Sequence, residues 1–324
     1  MVLIGREFGS KRVATNTEFE EEIMFKPVIC GIALACLMIG GAQADAITVD
    51  ATGVAFSGVE LYSDIQYSTS ALGLMRNELY LDLIRPTSAE PAPVIVFVTG
   101  SGWRAVERER LLPQLVRFGE AGFAVASIDY RGIGEAKFPE PQMDVKAAVR
   151  YLRQNAALYN LDPDKIAVFG PSAGGHLSLM AGLTGNDPAF VDDRLPDVSS
   201  EVAAIAAFYP AAYLGESGQA GYDLASMHMG LSVHDKANAE AVANATPASH
   251  ITADSPPVLL IHGTEDKVVP IDQSQRLYDA LNAQGVDATF VTVTGVGHDF
   301  EQMTSVPEVT DALIDFFTRT LKND

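Results

Sequence analysis

The sequence predicts an α/β fold in three layers: a mostly parallel, eight-stranded sheet with helices on both faces. Three observations carry this. Short apolar runs alternate with amphipathic helical stretches from residue 59 to the C-terminus. The runs in the middle of the chain are nearly continuous, which suits parallel strands buried on both faces. Apart from one irregular stretch the rhythm continues to the end, with no internal repeat and no second patterned domain.

The elements follow in order. "VELYSDIQYS" (59–68) and "NELYLDLIRP" (77–86) alternate apolar and polar residues, as strands with one solvated face do, and sit close enough for a hairpin. "PVIVFVTG" (93–100), "FAVASIDY" (123–130), "KIAVFG" (165–170), "VAAIAAFYP" (202–210) and "PVLLIHG" (257–263) supply the buried strands, and "DATFVTVTG" (287–295) closes the series. Helical spacing of apolar residues appears at 107–122, 141–160, 172–185, 271–285 and 306–321. Gly122 and Gly285 are placed to stop two of these helices. Residues 211–250 interrupt the alternation and read as a cap-like insertion, since long irregular segments in a domain are often lids.

The chain has 324 residues, 48% of them apolar and 20% charged, enough for one large domain with a sizeable core. A formal charge of −20 with no basic cluster argues against nucleic acid and anionic membrane surfaces as partners. The N-terminal segment is read apart from the fold. From Met24, "MFKPVICGIALACLMIGGAQADA" has a lysine, a short apolar stretch and small residues at Ala42 and Ala44, the layout of a secretory signal cut after Ala44. The acidic run "EFEEEI" just upstream is unlike the start of a signal, so residues 1–23 are read as an overextension. The expected domain is then 45–324, secreted or periplasmic and without stable membrane insertion after cleavage. Cys30 and Cys36 both fall within the signal, so the expected mature chain has no thiol chemistry.

The stretch "IAVFGPSAGGHL" (166–177) carries the chemistry. Gly170-Pro171-Ser172-Ala173-Gly174 is G-x-S-x-G between a predicted strand and a predicted helix. A sharp turn there lifts a serine hydroxyl clear of the sheet, and the glycines remove side chains that would collide with neighbouring chain. The amide of Ala173 falls at the helix start, where partial positive charge collects. A serine nucleophile needs a base, and a base histidine needs an acid to fix its tautomer. Of the six histidines, His298 stands in a loop, "TGVGHDF", after the last strand; the other five read as core or surface residues. Asp266, in "LLIHGTEDKVVP", lies beyond a strand end at the same sheet edge; spacing leaves the adjacent Glu265 open as a weaker alternative. The loop "VFVTGSGW" after the third strand offers backbone donors for an oxyanion, with Ser101 and Gly102 joining Ala173 as candidates.

At these residues the chain resembles the α/β-hydrolase superfamily. More narrowly, it resembles the carboxylesterase branch of feruloyl-esterase-like and acetylxylan-esterase-like proteins, near the hormone-sensitive-lipase-like esterases. The segments that carry this are "LYLDLIRP", "TGSGW", "GFAVASIDYRG", "MDVKAAVRYLRQNAALYNLDPDKIAVFGPSAGGHLSLMAGLTG", "SPPVLLIHGTEDKVVP" and "GVGHDF". The resemblance implies Ser172 as nucleophile, Asp266 as acid and His298 as base. It departs at Thr99, where the family has a histidine that braces the oxyanion loop, and at Ser101, where it has glycine. It also sets Tyr130 and Arg131 beside the site, with bracing as the first reading and substrate contact as the second. Trp103 is open between lining an acyl pocket and packing.

Together these imply a serine carboxylester hydrolase that forms an acyl-enzyme on short-chain or aromatic acyl esters, polysaccharide-linked ones included, with no cofactor. Two rivals stand beside it: an amidase or peptidase of the same fold, and a non-catalytic binding protein on a hydrolase scaffold.

Overall fold

Eight strands lie in one sheet in the order β1-β2-β4-β3-β5-β6-β7-β8. They are β1 (Val59–Leu72), β2 (Met75–Pro86), β3 (Ala92–Val98), β4 (Ala124–Ile128), β5 (Leu161–Pro171), β6 (Ala204–Phe208), β7 (Val258–Gly263) and β8 (Ala288–Val293). The computed structural model describes residues 58–322 apart from 73–74, 105–106, 186, 192 and 217–222. They belong to a unit that runs from Ala55 to Asp324. The signal-like segment from Met24 to Ala44 lies outside the described residues.

The first two strands form the expected hairpin, and β2 runs antiparallel to β4; every later pairing is parallel. The helices among the described residues are α1 (Leu112–Glu120), α2 (Glu140–Gln154), α3 (Ala156–Tyr159), α4 (Ala173–Thr184), α5 (Leu224–Met229), α6 (Ala239–Asn244), α7 (Asp272–Ala283), α8 (Phe300–Thr304) and α9 (Pro307–Leu321). Side chains alternate across the sheet and divide the core into two layers. Val94, Val96 and Val98 of β3 join Val145 and Val149 of α2, Leu177 of α4 and Leu277 of α7. Ile95 and Phe97 of the same strand join Leu115 and Phe118 of α1 with Leu313 and Phe317 of α9. This two-faced burial is why the central strands read as unbroken apolar runs. At the edge, β8 is only half-covered.

The described residues of the insertion form two short helices, α5 and α6, with 3-10 turns between and around them. The serine, acid and base candidates all follow parallel strands at their C-terminal ends, so the sheet delivers them to one edge.

Candidate active site

Ser172 sits between β5 and α4 with φ 56° and ψ −119°, a conformation costly for any residue with a Cβ. The turn is held by its own amide, which donates to the Phe208 carbonyl of β6 at 2.8 Å. The glycines have a specific cause. A Cβ on Gly170 would lie 2.2 Å from the Val98 carbonyl oxygen, and one on Gly174 would lie 2.0 Å from it. The end of β3 crosses so near that only glycine fits at either position.

The base and acid loops are zipped together. The Thr264 amide donates to the Val293 carbonyl at 3.0 Å, and the Glu265 amide donates to the Val296 carbonyl at 3.0 Å. A Cβ on Gly263 would strike that same Val296 oxygen at 2.1 Å. So joined, the loops bring His298 Nδ1 within 2.6 Å of Asp266 Oδ2, and His298 Nε2 within 2.9 Å of Ser172 Oγ. Asp266 has its side chain fully buried, and its Oδ1 accepts from the amides of Val268 (2.8 Å) and Val269 (2.9 Å). Burial alone would raise its pKa. Hydrogen bonds from His262 and His298, attraction to the His298 ring and the Val269 amide outweigh burial and hold the carboxyl well below the usual range. Glu265, the alternative acid, is exposed.

His262 also belongs to this corner, although the sequence read it as an ordinary core histidine. Its ring is completely buried, its Nδ1 lies 2.8 Å from Ser274 Oγ, and its Nε2 lies 3.0 Å from the Val269 carbonyl and 3.4 Å from Asp266 Oδ2. With Nε2 protonated, it donates to the Val269 carbonyl and toward the same carboxylate oxygen that His298 meets. The sequence signal was its place four residues before Asp266, at a strand end. Tyr209, just after β6, was missed as well; its ring centroid lies 4.2 Å from that of His298.

The cleft in front of Ser172 has a volume of about 520 Å³. Thr99, Gly100, Ser101 and Gly102 form one wall; Arg104, Arg110, Asp299 and Glu301 bring charge to it. Arg110 and Glu301 pair at 3.2 Å. The Ser101 hydroxyl donates to the Arg104 carbonyl at 2.6 Å, so it ties the loop to itself. Gly102 has φ 64° and abuts Leu224 of α5, whose Cδ1 would lie 2.6 Å from an added Cβ. Ala173 is the first residue of α4, so its amide has no acceptor within the helix.

The substrate-contact reading of Trp103, Tyr130 and Arg131 is corrected in favour of bracing and packing, already the first reading for Tyr130 and Arg131 and one of two for Trp103. Trp103, Tyr130 and Arg131 are buried and are not among the residues lining the cleft. The Tyr130 hydroxyl donates to the Thr99 carbonyl at 2.9 Å. Arg131 is held by Asp144 of α2 at 2.7 Å and Glu140 at 2.6 Å, a charge too well paired inside the protein to reach outward. Trp103 donates through Nε1 to His176 Nδ1 at 3.1 Å and stacks on His228 with centroids 4.8 Å apart. Thr99, standing where the resembling proteins have a bracing histidine, has a buried hydroxyl with no partner among the described residues. The bracing passes instead to Tyr130, Ser101 and the Trp103–His176 bond.

Comparison with known proteins agrees with this architecture. Esterase LipC of Mycobacterium tuberculosis is 32% identical over 222 residues, 65% of this chain and 54% of that protein. The chain spans about half the length of the curated relatives it matches. A truncated carbohydrate esterase from gut microbiota superposes with a TM-score of 0.71 at 28% identity, covering 82% of this chain and 97% of that one. A bifunctional GH43-CE protein of Bacteroides eggerthii gives 0.68 at 30% identity, covering 80% of this chain and 38% of that one. The profile of the BD-FAE family matches residues 81–281, more than half of the sequence, and the chain belongs to that family, on an α/β-hydrolase fold.

Proposed function

We propose that this chain is a serine carboxylester hydrolase working through an acyl-enzyme. The observation that carries the reading is the unbroken relay from Ser172 Oγ through His298 to a buried Asp266 carboxylate. Ser172 Oγ attacks the ester carbonyl carbon as His298 Nε2 takes its proton. Asp266 keeps the other ring proton on Nδ1 and stabilises the imidazolium. The carbonyl oxygen, now negative, accepts from the Ala173 amide and from the 101–102 backbone; each such donor contributes about 2.7–4 kcal/mol to the transition state. Collapse of this adduct breaks the ester C–O bond, and the departing alkoxide takes the proton from His298. Water then attacks the acyl carbonyl with the same groups, releasing the acid and restoring Ser172.

The cleft supports short-chain or aromatic acyl groups. It is modest in volume and has a charged mouth, whereas a long alkyl chain needs an extended apolar channel. Its polar wall also suits an alcohol rich in hydroxyls, including acylated polysaccharide, and the name of the carbohydrate-esterase neighbour supports that choice. The signal-like segment from Met24 supports a secreted or periplasmic enzyme, and N-terminal sequencing of the exported protein, expected to begin at Asp45, checks it.

The test is an ester panel on wild type and Ser172→Ala, with fluorophosphonate labelling of the folded protein. Wild type is expected to label at Ser172, and the variant to lose roughly six orders of magnitude in kcat. Hydrolysis that survives the substitution, or a serine that does not label, defeats the proposal.

A further inference from the structure

Tyr209 occupies a position the relay does not explain. It is not glycine, yet its φ is +35°. In a regular strand it would face away from Phe208, because consecutive side chains alternate. Instead both rings lie in the same core layer. The left-handed backbone breaks the alternation and turns the tyrosine back toward the site. Its surroundings hold it there. The Tyr209 amide donates to the Ile261 carbonyl of β7 at 2.7 Å, one residue before His262. The Phe208 carbonyl, one residue earlier, receives the Ser172 amide. The residue is thus fastened between the turn that presents Ser172 and the strand that leads to Asp266.

The side chain is only 3% exposed, but it borders the cleft. Its ring lies 4.2 Å from His298 at an interplanar angle of 49°, and 6.2 Å from His262 in an edge arrangement. His298 has two hydrogen bonds, to Asp266 and Ser172, and both act through ring nitrogens in the imidazole plane. Neither resists rotation of the ring about the line joining them. A contact on the face does. An aromatic face also presents negative charge density, which favours the imidazolium formed when Ser172 gives up its proton.

We infer that Tyr209 is a positioning residue whose ring is the platform that fixes the imidazole plane of His298, and that the strained backbone after β6 exists to aim it. The inference rests on the esterase reading above and extends it. The ring face, not the hydroxyl, does the work. Burial, with Asp299 and Asp266 adding to it, keeps the phenol protonated far above the usual tyrosine range.

The experiment compares Tyr209→Phe, Tyr209→Leu and Tyr209→Met with wild type. Tyr209→Phe is expected to keep kcat within about threefold. Tyr209→Leu and Tyr209→Met are expected to lower kcat by roughly 10- to 100-fold with KM little changed, since a small misplacement of a reacting group costs on that order. A substrate-free readout accompanies this: the ring-proton resonances of His298, displaced by the tyrosine ring current in wild type and Tyr209→Phe, return toward ordinary positions in the aliphatic variants. Aliphatic variants with wild-type kcat overturn the inference, as does Tyr209→Phe falling as far as Tyr209→Leu. Should neither aliphatic variant fold, the His298 resonances of native against unfolded wild type decide, and an undisplaced ring overturns the inference. A wild type inactive on every ester, with Ser172 unlabelled, defeats the esterase reading instead, and the resonances still report whether the platform exists.

Discussion

Two histidine clusters flank Ser172, and they are built from nearly the same parts. On one side His298 and His262 share a carboxylate, Asp266, with Tyr209 against the ring of His298. On the other, His176 and His228 pack around Trp103, His176 accepting its Nε1–H while its own Nε2 meets the Ala245 carbonyl at 2.9 Å. What differs is the acid. Beside Asp266 an imidazole can take a proton in mid-reaction, because the counter-charge is already in place. Around Trp103 neither histidine has a carboxylate partner among the described residues, and burial pushes His176 down to about 4 and His228 well below its ordinary value. Under the proposed mechanism the same side chain is therefore a base in one place and a neutral brace for the oxyanion loop in the other, and the neighbours decide which.

Removing the acid is the most direct way to break this contrast. In Asp266→Asn the new side-chain oxygen is fixed by the Val268 and Val269 amides that Oδ1 already accepts. The amide NH2 then faces His298 Nδ1, which must supply a lone pair. That forces the proton onto Nε2, aimed at Ser172, where a base is needed. We expect kcat to fall by about 10⁴ with the fold retained, as this wrong-tautomer effect predicts. Steady-state kinetics and circular dichroism check it. A loss below tenfold would mean that the carboxylate does not set the tautomer.

The neutral cluster is tested by acid. An unfolded histidine binds a proton near pH 6.5, while His176 in the folded chain refuses it until about pH 4. The unfolded state therefore binds more protons between these values, so stability is complete above pH 6.5 and is lost as pH falls toward 4. A separation of that size amounts to about 3 kcal/mol for His176, and His228 adds to it with the same sign. Asp266, held low, weakens the fold only as pH drops below about 4, so the two clusters act in different windows. Urea unfolding at pH 7.5, 5.5 and 4.5 is expected to show the decline; a flat profile over that range would show that these histidines are not held neutral.

How each cluster could be seen in the sequence follows from its geometry. Ser172, Asp266 and His298 were legible because local patterns place them: a glycine-bounded turn, a strand end, a loop before the last helix. The central strands were legible for a similar reason, since burial on both faces writes an unbroken apolar run. Tyr209 was hidden because its role depends on a left-handed φ that "FYP" does not announce. His262 was hidden because "VLLIHG" reads as core, and it is core; what matters is that Asp266 folds back beneath it. Trp103 stayed open between pocket lining and packing, and Arg131 between bracing and substrate contact, because their partners, His176, His228 and Asp144, come from two helices and an insertion without periodicity. Pairings of this kind are set by tertiary contact, which a single sequence carries only weakly.

The smallest expected effect sharpens the comparison most. His228 is completely buried, and neither ring nitrogen has a hydrogen-bond partner among the described residues. Its contacts are rings: Trp103 stacked at 4.8 Å, His176 at 5.5 Å and Phe138 at 6.0 Å. If His228 serves only as a flat apolar brace, His228→Phe keeps the stacking and removes the burden of unsatisfied polar atoms, a change between neutral and about 1 kcal/mol stabilising. The same variant deletes one histidine from the acid response, so its stability should fall less steeply between pH 6.5 and 4 while activity at pH 7.5 is unchanged. Denaturant unfolding at both ends of that range reads both quantities. A variant destabilised by more than about 1 kcal/mol at pH 7.5 would show that the imidazole nitrogens are engaged after all, and that the brace, like the base across the cleft, depends on a polar partner.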